Sequence, residues 1–404
     1  MHRPELHCGR WLGLTRPPTP TQVTTISSTD DTTGVTRRTT VAASAQPARP
    51  KLRDVAAAAG VSVMTVSNVV NGRNATMTEQ TRLRIEGEIK RLGYRPQRHA
   101  RSLRRAEHRS IGMMIVDTSP SFLADPFTTQ IVSGLSNSAS SHDYSVMLQG
   151  IHPALLTKSA MVRNVQTDAM CALLSGPPRV RQRAIEILSE LKQPTVLFQE
   201  ALQRPLHDVC VLRQNDYAGG RMLGEAVIAQ GARKLLLLMP RLFWPAIHER
   251  VRGIRAAARA ASAPVTVRMV RAEERDLAAI QSVLRAEFAT SGAPDALLAG
   301  NDQMALGATQ VVRLAGLEIP RDIMITGFNG FEFWGFSDPA LTTVKSSAYE
   351  LGVRAGLELI RRLETGGFDN AEIVLPVQLE PGATVNWPAT AGSRPRDKAK
   401  ETTP

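Results

Sequence analysis

Apolar positions follow two different rhythms along this chain. Between Leu52 and Leu92 they recur at helical spacing in three short blocks. Leu52, Val55, Ala56 and Ala59 share one face, which predicts a helix over Leu52–Ala59 that Gly60 ends. Ser62 is placed to cap a second helix over Val63–Asn71, with Val66, Val69 and Val70 as its inner stripe. Thr78 caps a third, with Glu79 in its first turn and Ile85, Ile89 and Leu92 in line. Gly93-Tyr94-Arg95-Pro96 stops it, and a short basic stretch with helical potential, "HARSLRR", follows.

From Ser110 the rhythm changes. Short aliphatic runs ("SIGMMIVD", "AMCALLSG", "KLLLLMP", "ALLAGND", "DIMITGFN") alternate with amphipathic stretches such as Phe127–Ser141. Such alternation predicts parallel sheets covered by helices on both faces, and it runs long enough for two lobes. No period of about 20–50 residues marks a repeat array. Residues 1–49, rich in Thr, Ser, Pro and Arg, and residues 389–404 show no period and are expected to be disordered.

Charge sharpens the reading of the helical block. The chain carries 49 Lys and Arg against 37 Asp and Glu, a net +12. Between Pro50 and Arg109 thirteen Lys and Arg face five Asp and Glu, so eight of those net charges are local. A concentrated basic block points to a polyanion partner. A helix, a tight glycine turn and a second helix form a helix-turn-helix, whose outer face here is Val63, Met64, Thr65, Ser67, Asn68 and Asn71. That face has no acidic residue and offers hydroxyls, amides and apolar groups to phosphates, base edges and thymine methyls. The competing reading is an ordinary helical hairpin inside an enzyme. Cys8, Cys171 and Cys210 make neither a disulfide framework nor a metal spacing, and Cys171 reads as a small buried hydrophobe. No apolar run approaches ~18 residues, and no secretory leader is expected, so the setting reads as cytoplasmic.

"LRDVAAAAGVSVMTVSNVVNG" closely resembles the start of the lactose-repressor/galactose-repressor (LacI/GalR) family of bacterial transcription regulators. "LGYRPQRHARSL" resembles that family's third-helix end and hinge helix, and "GNDQMALGATQ", "IPRDIMITGFNGFEF" and "DPALTTVKSSAYELG" resemble landmarks of its core. The resemblance covers about 52–388. It implies an all-α helix-turn-helix headpiece plus an α/β periplasmic-binding-protein-like core of two doubly wound parallel-sheet lobes. The expected boundaries are 1–49 for an extension, 50–96 for the DNA-binding domain, 97–108 for the hinge, 109–388 for the core and 389–404 for a tail. Within the core, the first lobe is expected at about 110–212 and 341–372, and the second at about 213–340 and 373–388.

The resemblance implies that the second helix lies in the major groove, with Val63, Met64 and Asn68 at base-reading positions. Thr65, Ser67, Asn71 and Thr78 match phosphate-holding positions, Tyr94 matches a backbone-contacting tyrosine, and Ser62 at the helix start is counted among the DNA-binding residues. Asn68 stands where many members have Arg. Asn suits the adenine edge, so an altered operator base is expected there unless Asn68 touches only backbone or water. Ala100, Arg101, Ser102 and Leu103 match a hinge helix that orders on DNA, with Leu103 as a minor-groove wedge and Arg101, Arg104 and Arg105 on phosphates. The partners implied are a double-stranded, pseudo-palindromic operator, a second copy of the chain as a homodimer, and a small-molecule effector. No membrane, cofactor or metal is implied.

Effector-binding positions follow from the same landmarks: Asp125 with Phe127 at a helix start, Arg250, the pair Asn301 and Asp302, and Asn329. Trp244 and Phe243 stack on the ligand or belong to rim or core. "GFNG" stands where relatives have "GFDD", removing two negative charges. With Arg250 kept, a sugar acid or sugar phosphate is expected over a neutral sugar. Effector and DNA affinities are linked through a two-state core, and no leucine heptad in the tail argues for a tetramer. Two other classes remain: a periplasmic-type sugar-binding protein, which leaves 52–105 unexplained, and an enzyme, for which no nucleophile elbow, phosphate-cradling loop or metal cluster is present. An activator with the same architecture is the remaining variant.

Overall fold

The computed structural model describes residues 50–73, 77–95, 107–242, 244–331 and 335–387. The chain divides into two units, residues 1–96 and 97–404.

The first unit holds three helices, α1 (Leu52–Ala59), α2 (Val63–Val70) and α3 (Glu79–Leu92). Val55, Ala56, Ala59, Val66 and Ile85 form its buried centre, ringed by Leu52, Val61, Val69, Val70, Met77, Ile89, Leu92 and Tyr94. Alanines at the crossing let α1 approach α2 closely. The turn is made by Gly60 at φ +61, a left-handed conformation that a side chain resists, and Ser62 Oγ accepts from Thr65 N at 3.1 Å. Helix α2 ends at Val70, with Asn71 as its C-cap rather than its last helical residue.

The second unit alternates strands and helices as the aliphatic runs predict. The first sheet contains β1 (Ser110–Val116), β2 (Ser145–Ile151), β3 (Ala169–Leu174), β4 (Thr195–Phe198), β5 (Val209–Gln214) and β11 (Glu372–Leu375), all parallel, in the order β11-β5-β4-β3-β1-β2. The second contains β6 (Lys234–Pro240), β7 (Thr266–Ala272), β8 (Ala296–Ala299) and β9 (Met324–Thr326), parallel, in the order β7-β6-β8-β9. Helices α4 (Pro126–Ser140) and α10 (Ala348–Thr365) cover one face of the first sheet and α5 (Pro178–Glu190) the other. In the second lobe α6 (Asp216–Ala229) and α7 (Pro245–Ala260) lie on one face, α8 (Leu277–Ser291) and α9 (Asp302–Leu314) on the other. Because both faces are covered, the central strands are apolar, as in Leu235–Met239, where every residue is buried, while the edge strands β2, β7 and β11 are partly exposed. Cys171 and Cys210 are free thiols buried in the first sheet.

The chain crosses between lobes three times, at Gln214–Asp216, at Lys345–Ala348 and at Leu375–Gln378, where β10 (Thr343–Lys345) pairs antiparallel with β12 (Gln378–Glu380). Two crossings lie later than the resemblance led one to expect. Thr342 bridges Thr326 and Val344 packs in the second lobe's core, so 341–345 sit with the second lobe. Glu372–Leu375 pair with β5, which keeps 373–375 in the first. Backbone pairing, which the local pattern does not register, decides both points. The hinge residues 97–106, the tails 1–49 and 388–404, and Phe243 lie outside the described residues, so the expectations for Ala100, Arg101, Ser102 and Leu103 are not addressed by the structure.

Candidate functional site

In the first unit the outer face of α2 is open. Val63 and Met64, neighbours on that face, are 47% and 61% exposed. Ser62 and Thr65 share a hydroxyl–hydroxyl bond at 2.8 Å, and Asn71 Nδ2 donates to Ser67 O at 2.6 Å and to Ser67 Oγ at 3.2 Å. Thr78 Oγ1 is occupied with Thr81, accepting from its N–H at 3.4 Å. Asn68 is half-buried and makes no side-chain hydrogen bond among the described residues, so its amide is available for an external group. Tyr94 packs on the small core, and burial raises its phenol above the ordinary range.

In the second unit a cavity of about 220 Å³ opens between the lobes. A second pocket of about 470 Å³ adjoins it, sharing Gln199, Trp244, Pro245 and Ala246. The walls of the first follow the carboxyl ends of strands from both sheets: Asp117 after β1, Ser175 after β3, Gln199 after β4, Leu242 after β6, Glu273 and Glu274 after β7 and Asn301 after β8. Asp125, Phe127, Trp244, Arg250, Asn301 and Asn329 all line it; Asp302 does not. Asp302 is buried behind the wall, accepting from Thr343 Oγ1 at 2.5 Å and Gly330 N at 2.7 Å, with burial as the largest cause pushing its carboxyl up to about 7. It ties the second lobe to the crossover strand instead of facing the cavity.

Arg250 is committed to the protein. Nε donates to Asp216 Oδ1 at 2.8 Å, one terminal nitrogen to Gly300 O at 2.5 Å and the other to Asn329 Oδ1 at 3.4 Å. Its guanidinium lies 3.6 Å over the Phe328 ring. Asp216 also accepts from Gln199 Nε2 at 3.0 Å and Gln214 Nε2 at 3.1 Å, and Gln214 Oε1 accepts from Ser346 Oγ at 2.7 Å. One buried network thus joins two crossovers to the cavity floor. Gln199 and Asn329 hold φ of +56 and +112, two strained non-glycine residues on the same wall.

Asp125 caps α4, accepting from Phe127 N and Thr128 N at 3.2 Å and from Thr128 Oγ1 at 2.8 Å. Its own carboxylate therefore occupies the helix N-terminus expected to receive a ligand anion. Asn301 is similarly employed: Oδ1 accepts from Met304 N at 2.9 Å and Nδ2 donates to Glu274 Oε2 at 2.8 Å. Burial, then the nearby Asp125 carboxylate, pushes Glu274 up to about 7. Trp244 both lines the cavity and packs on the second lobe's core, and Phe122 lies against Gly150, where an added Cβ would fall 2.0 Å from its ring. Asp117, Phe122, Gln199, Glu273, Glu274 and Arg275 are wall residues that the sequence reading did not name. Four carboxylates against two arginines reverse the charge argument drawn from "GFNG", which counted only the loss of negative groups. Among the described residues no cluster of His, Cys, Asp and Glu is arranged to hold a metal ion, and no helix is long and apolar enough to cross a membrane.

Residues 51–97 match the family described as bacterial regulatory proteins, lacI family, and residues 225–385 match the periplasmic binding protein-like domain. The chain is 28% identical over 338 residues to the ribose operon repressor of Escherichia coli, covering 82% of this chain and 99% of that one. It is 26% identical over 326 residues to the ribose operon repressor of Bacillus subtilis, covering 81% and 95%. In fold it is similar to the Lac repressor dimer bound to operator and the anti-inducer ONPF, with a TM-score of 0.72, 23% identity, and coverage of 83% of this chain and 98% of that one.

Proposed function

The chain belongs to the lacI family of bacterial regulatory proteins, and on that premise we propose that it is a sequence-specific transcriptional repressor acting as a homodimer in the cytoplasm. Its operator affinity is set by a small polyhydroxylated effector held between the core lobes. The observation that carries this reading is the union in one chain of an open, acid-free recognition helix and a cavity walled by strand ends of two lobes. Val63, Met64 and Asn68 read bases in the major groove, while Ser62, Thr65, Ser67, Asn71, Thr78 and Tyr94 fix the register on the backbone. Ala100, Arg101 and Leu103 open the minor groove at the operator centre. The similarity to ribose operon repressors favours a monosaccharide-sized effector over an oligosaccharide. Asp125, Phe127, Trp244, Arg250, Asn301 and Asn329 form its wall, and Asp302 supports that wall from behind.

Closing the lobes on the ligand changes the geometry that two subunits present to DNA, so effector and operator affinities are reciprocally linked. Regulation, not turnover, is the function assigned to the cavity. The test is fluorescence anisotropy of the full chain on labelled pseudo-palindromic duplexes, with and without sugars, at several salt concentrations. A preferred duplex whose affinity shifts with one sugar supports the reading. Equal, purely salt-driven affinity for every duplex sinks it.

A further inference from the structure

Resting on the reading of the lobe cavity as the effector site, we infer that the effector is a cation, a small polyhydroxylated amine whose ammonium lies between Asp125 of the first lobe and Glu274 of the second. The cavity wall carries Asp117, Asp125, Glu273 and Glu274. Its two cations do not balance them. The charge of Arg250 is matched at 2.8 Å by Asp216, and both side chains are buried. Arg275 is exposed at the mouth, where its Nη1 donates to Ser121 O at 3.3 Å and Ser119 Oγ at 3.5 Å. The N-terminus of α4, on the first-lobe wall, is filled by the carboxylate of Asp125. A ligand anion thus meets four carboxylates and no uncommitted buried cation.

The ligand's neutral part has its own partners. Asn329 Oδ1 is taken by Arg250, because a guanidinium can only donate, so the amide's N–H groups remain to meet a hydroxyl oxygen. Phe122, Phe127 and Trp244 supply ring faces, which suit both the C–H face of a sugar and a neighbouring positive charge. With a neutral sugar the repulsion between Asp125 and Glu274 is relieved only by the proton that Glu274 retains, and an acid adds to it. An ammonium removes it and brings three donors to two carboxylates. Glu274, half-protonated near neutrality, releases its proton when the cation arrives.

The test is titration calorimetry on the full chain at pH 6.5 with two matched trios: D-ribose, 2-amino-2-deoxy-D-ribose and D-ribonate, and D-glucose, D-glucosamine and D-gluconate. Each titration is repeated in two buffers of different ionisation enthalpy. Within a trio the amine is expected to bind at least about tenfold more tightly than the neutral sugar, with proton release, and the acid not at all. Glu274→Gln keeps an acceptor for Asn301, so the wall is retained; it should bring the amine's affinity down to that of the neutral sugar of its trio and end the proton release. Thermal melting checks that the variant is folded. Tighter binding of a neutral sugar or an acid that also releases operator overturns the inference and leaves the proposed function standing. An amine advantage that survives Glu274→Gln overturns it too. Silence from both trios, with operator binding intact, counts against the cavity as an effector site, and the inference falls with it.

Discussion

Arg250 Nε stands 2.8 Å from Asp216 Oδ1, with the two side chains 6% and 4% exposed. The pair joins two helices of the second lobe, since Asp216 opens α6 and Arg250 lies in the second turn of α7. Desolvation makes such a pair costly to halve. Arg250→Met should lower stability by about 3–5 kcal/mol, because Asp216 is left charged and buried. Adding Asp216→Asn should recover a large part of that loss. Urea denaturation of the two singles and the double decides it; additive losses would mean that the two side chains do not act as a unit.

Three carboxyls in the core, Glu200, Glu274 and Asp302, are pushed up to about 7, each with burial as the first cause. Each therefore binds its proton more readily in the folded chain than in the unfolded one, whose reference values are 4.5 for Glu and 3.8 for Asp. Folding takes up protons across that window, so stability should fall as pH rises from about 4.5 to about 7 and level off above it. Glu200 is paired with Arg181 at 2.9 Å, which works against its protonation. Melting temperatures from pH 5 to 8 test the slope, and Glu274→Gln should flatten it. A rise in stability over that interval contradicts the assignment.

The two helix pairs that cover the lobes cross at glycines. A Cβ added at Gly352 would lie 2.1 Å from Ile131 O, and one at Gly134 would lie 2.0 Å from Tyr349 O. Because the obstacle is backbone and not the end of a flexible side chain, α4 and α10 must separate. Gly352→Ala should cost about 1–3 kcal/mol. The comparison is with Gly367→Ala, where an added Cβ meets nothing within 4 Å. Similar melting temperatures for the two variants would show that the helices yield freely.

The elements were largely legible, because strands buried on both faces write unbroken aliphatic runs and capped helices announce their ends. Ser62 and Thr78 cap where their positions suggest, and Gly60 turns the chain as expected. The cavity was half legible. Arg250 and Asn301 stand in segments whose pattern marks them, whereas Glu273, Glu274 and Arg275 follow β7, a strand with no distinctive motif. Their number at strand ends was the available signal, since polar residues just after a buried parallel strand are placed at a cleft. Asp302 was misplaced for the opposite reason. Adjacent residues at a helix start point in different directions, so Asn301 meets the cavity while Asp302 turns to Thr343.

Asn68 offers an amide that no described neighbour occupies, on a helix whose other polar side chains are partly engaged with each other. An amide can accept from and donate to adenine at once. Selection from randomised half-sites should give adenine opposite Asn68, and Asn68→Ala should reduce discrimination there by about 1–3 kcal/mol. Asn68→Arg should move the preference to guanine. A guanine preference in the unaltered chain would show that Asn68 does not read that base.

Arg275 reaches from the second lobe to Ser121 O and Ser119 Oγ of the first, across the mouth of the cavity. These bonds are long and exposed, of the kind worth about 0–1 kcal/mol, so they do not hold the lobes shut by themselves. They bias an equilibrium that the ligand completes. Arg275→Ala should leave melting temperature nearly unchanged while weakening the affinity for a neutral sugar a few-fold, because part of the closing energy must then come from the ligand. Arg275 also lowers the proton affinity of Glu274, so its loss should raise that group further and shift the pH dependence of effector binding upward. Calorimetry at pH 6 and pH 8 on Arg275→Ala separates the two effects. An affinity loss equal at both pH values reports the lost inter-lobe bonds alone, and no loss at either removes Arg275 from the closing step.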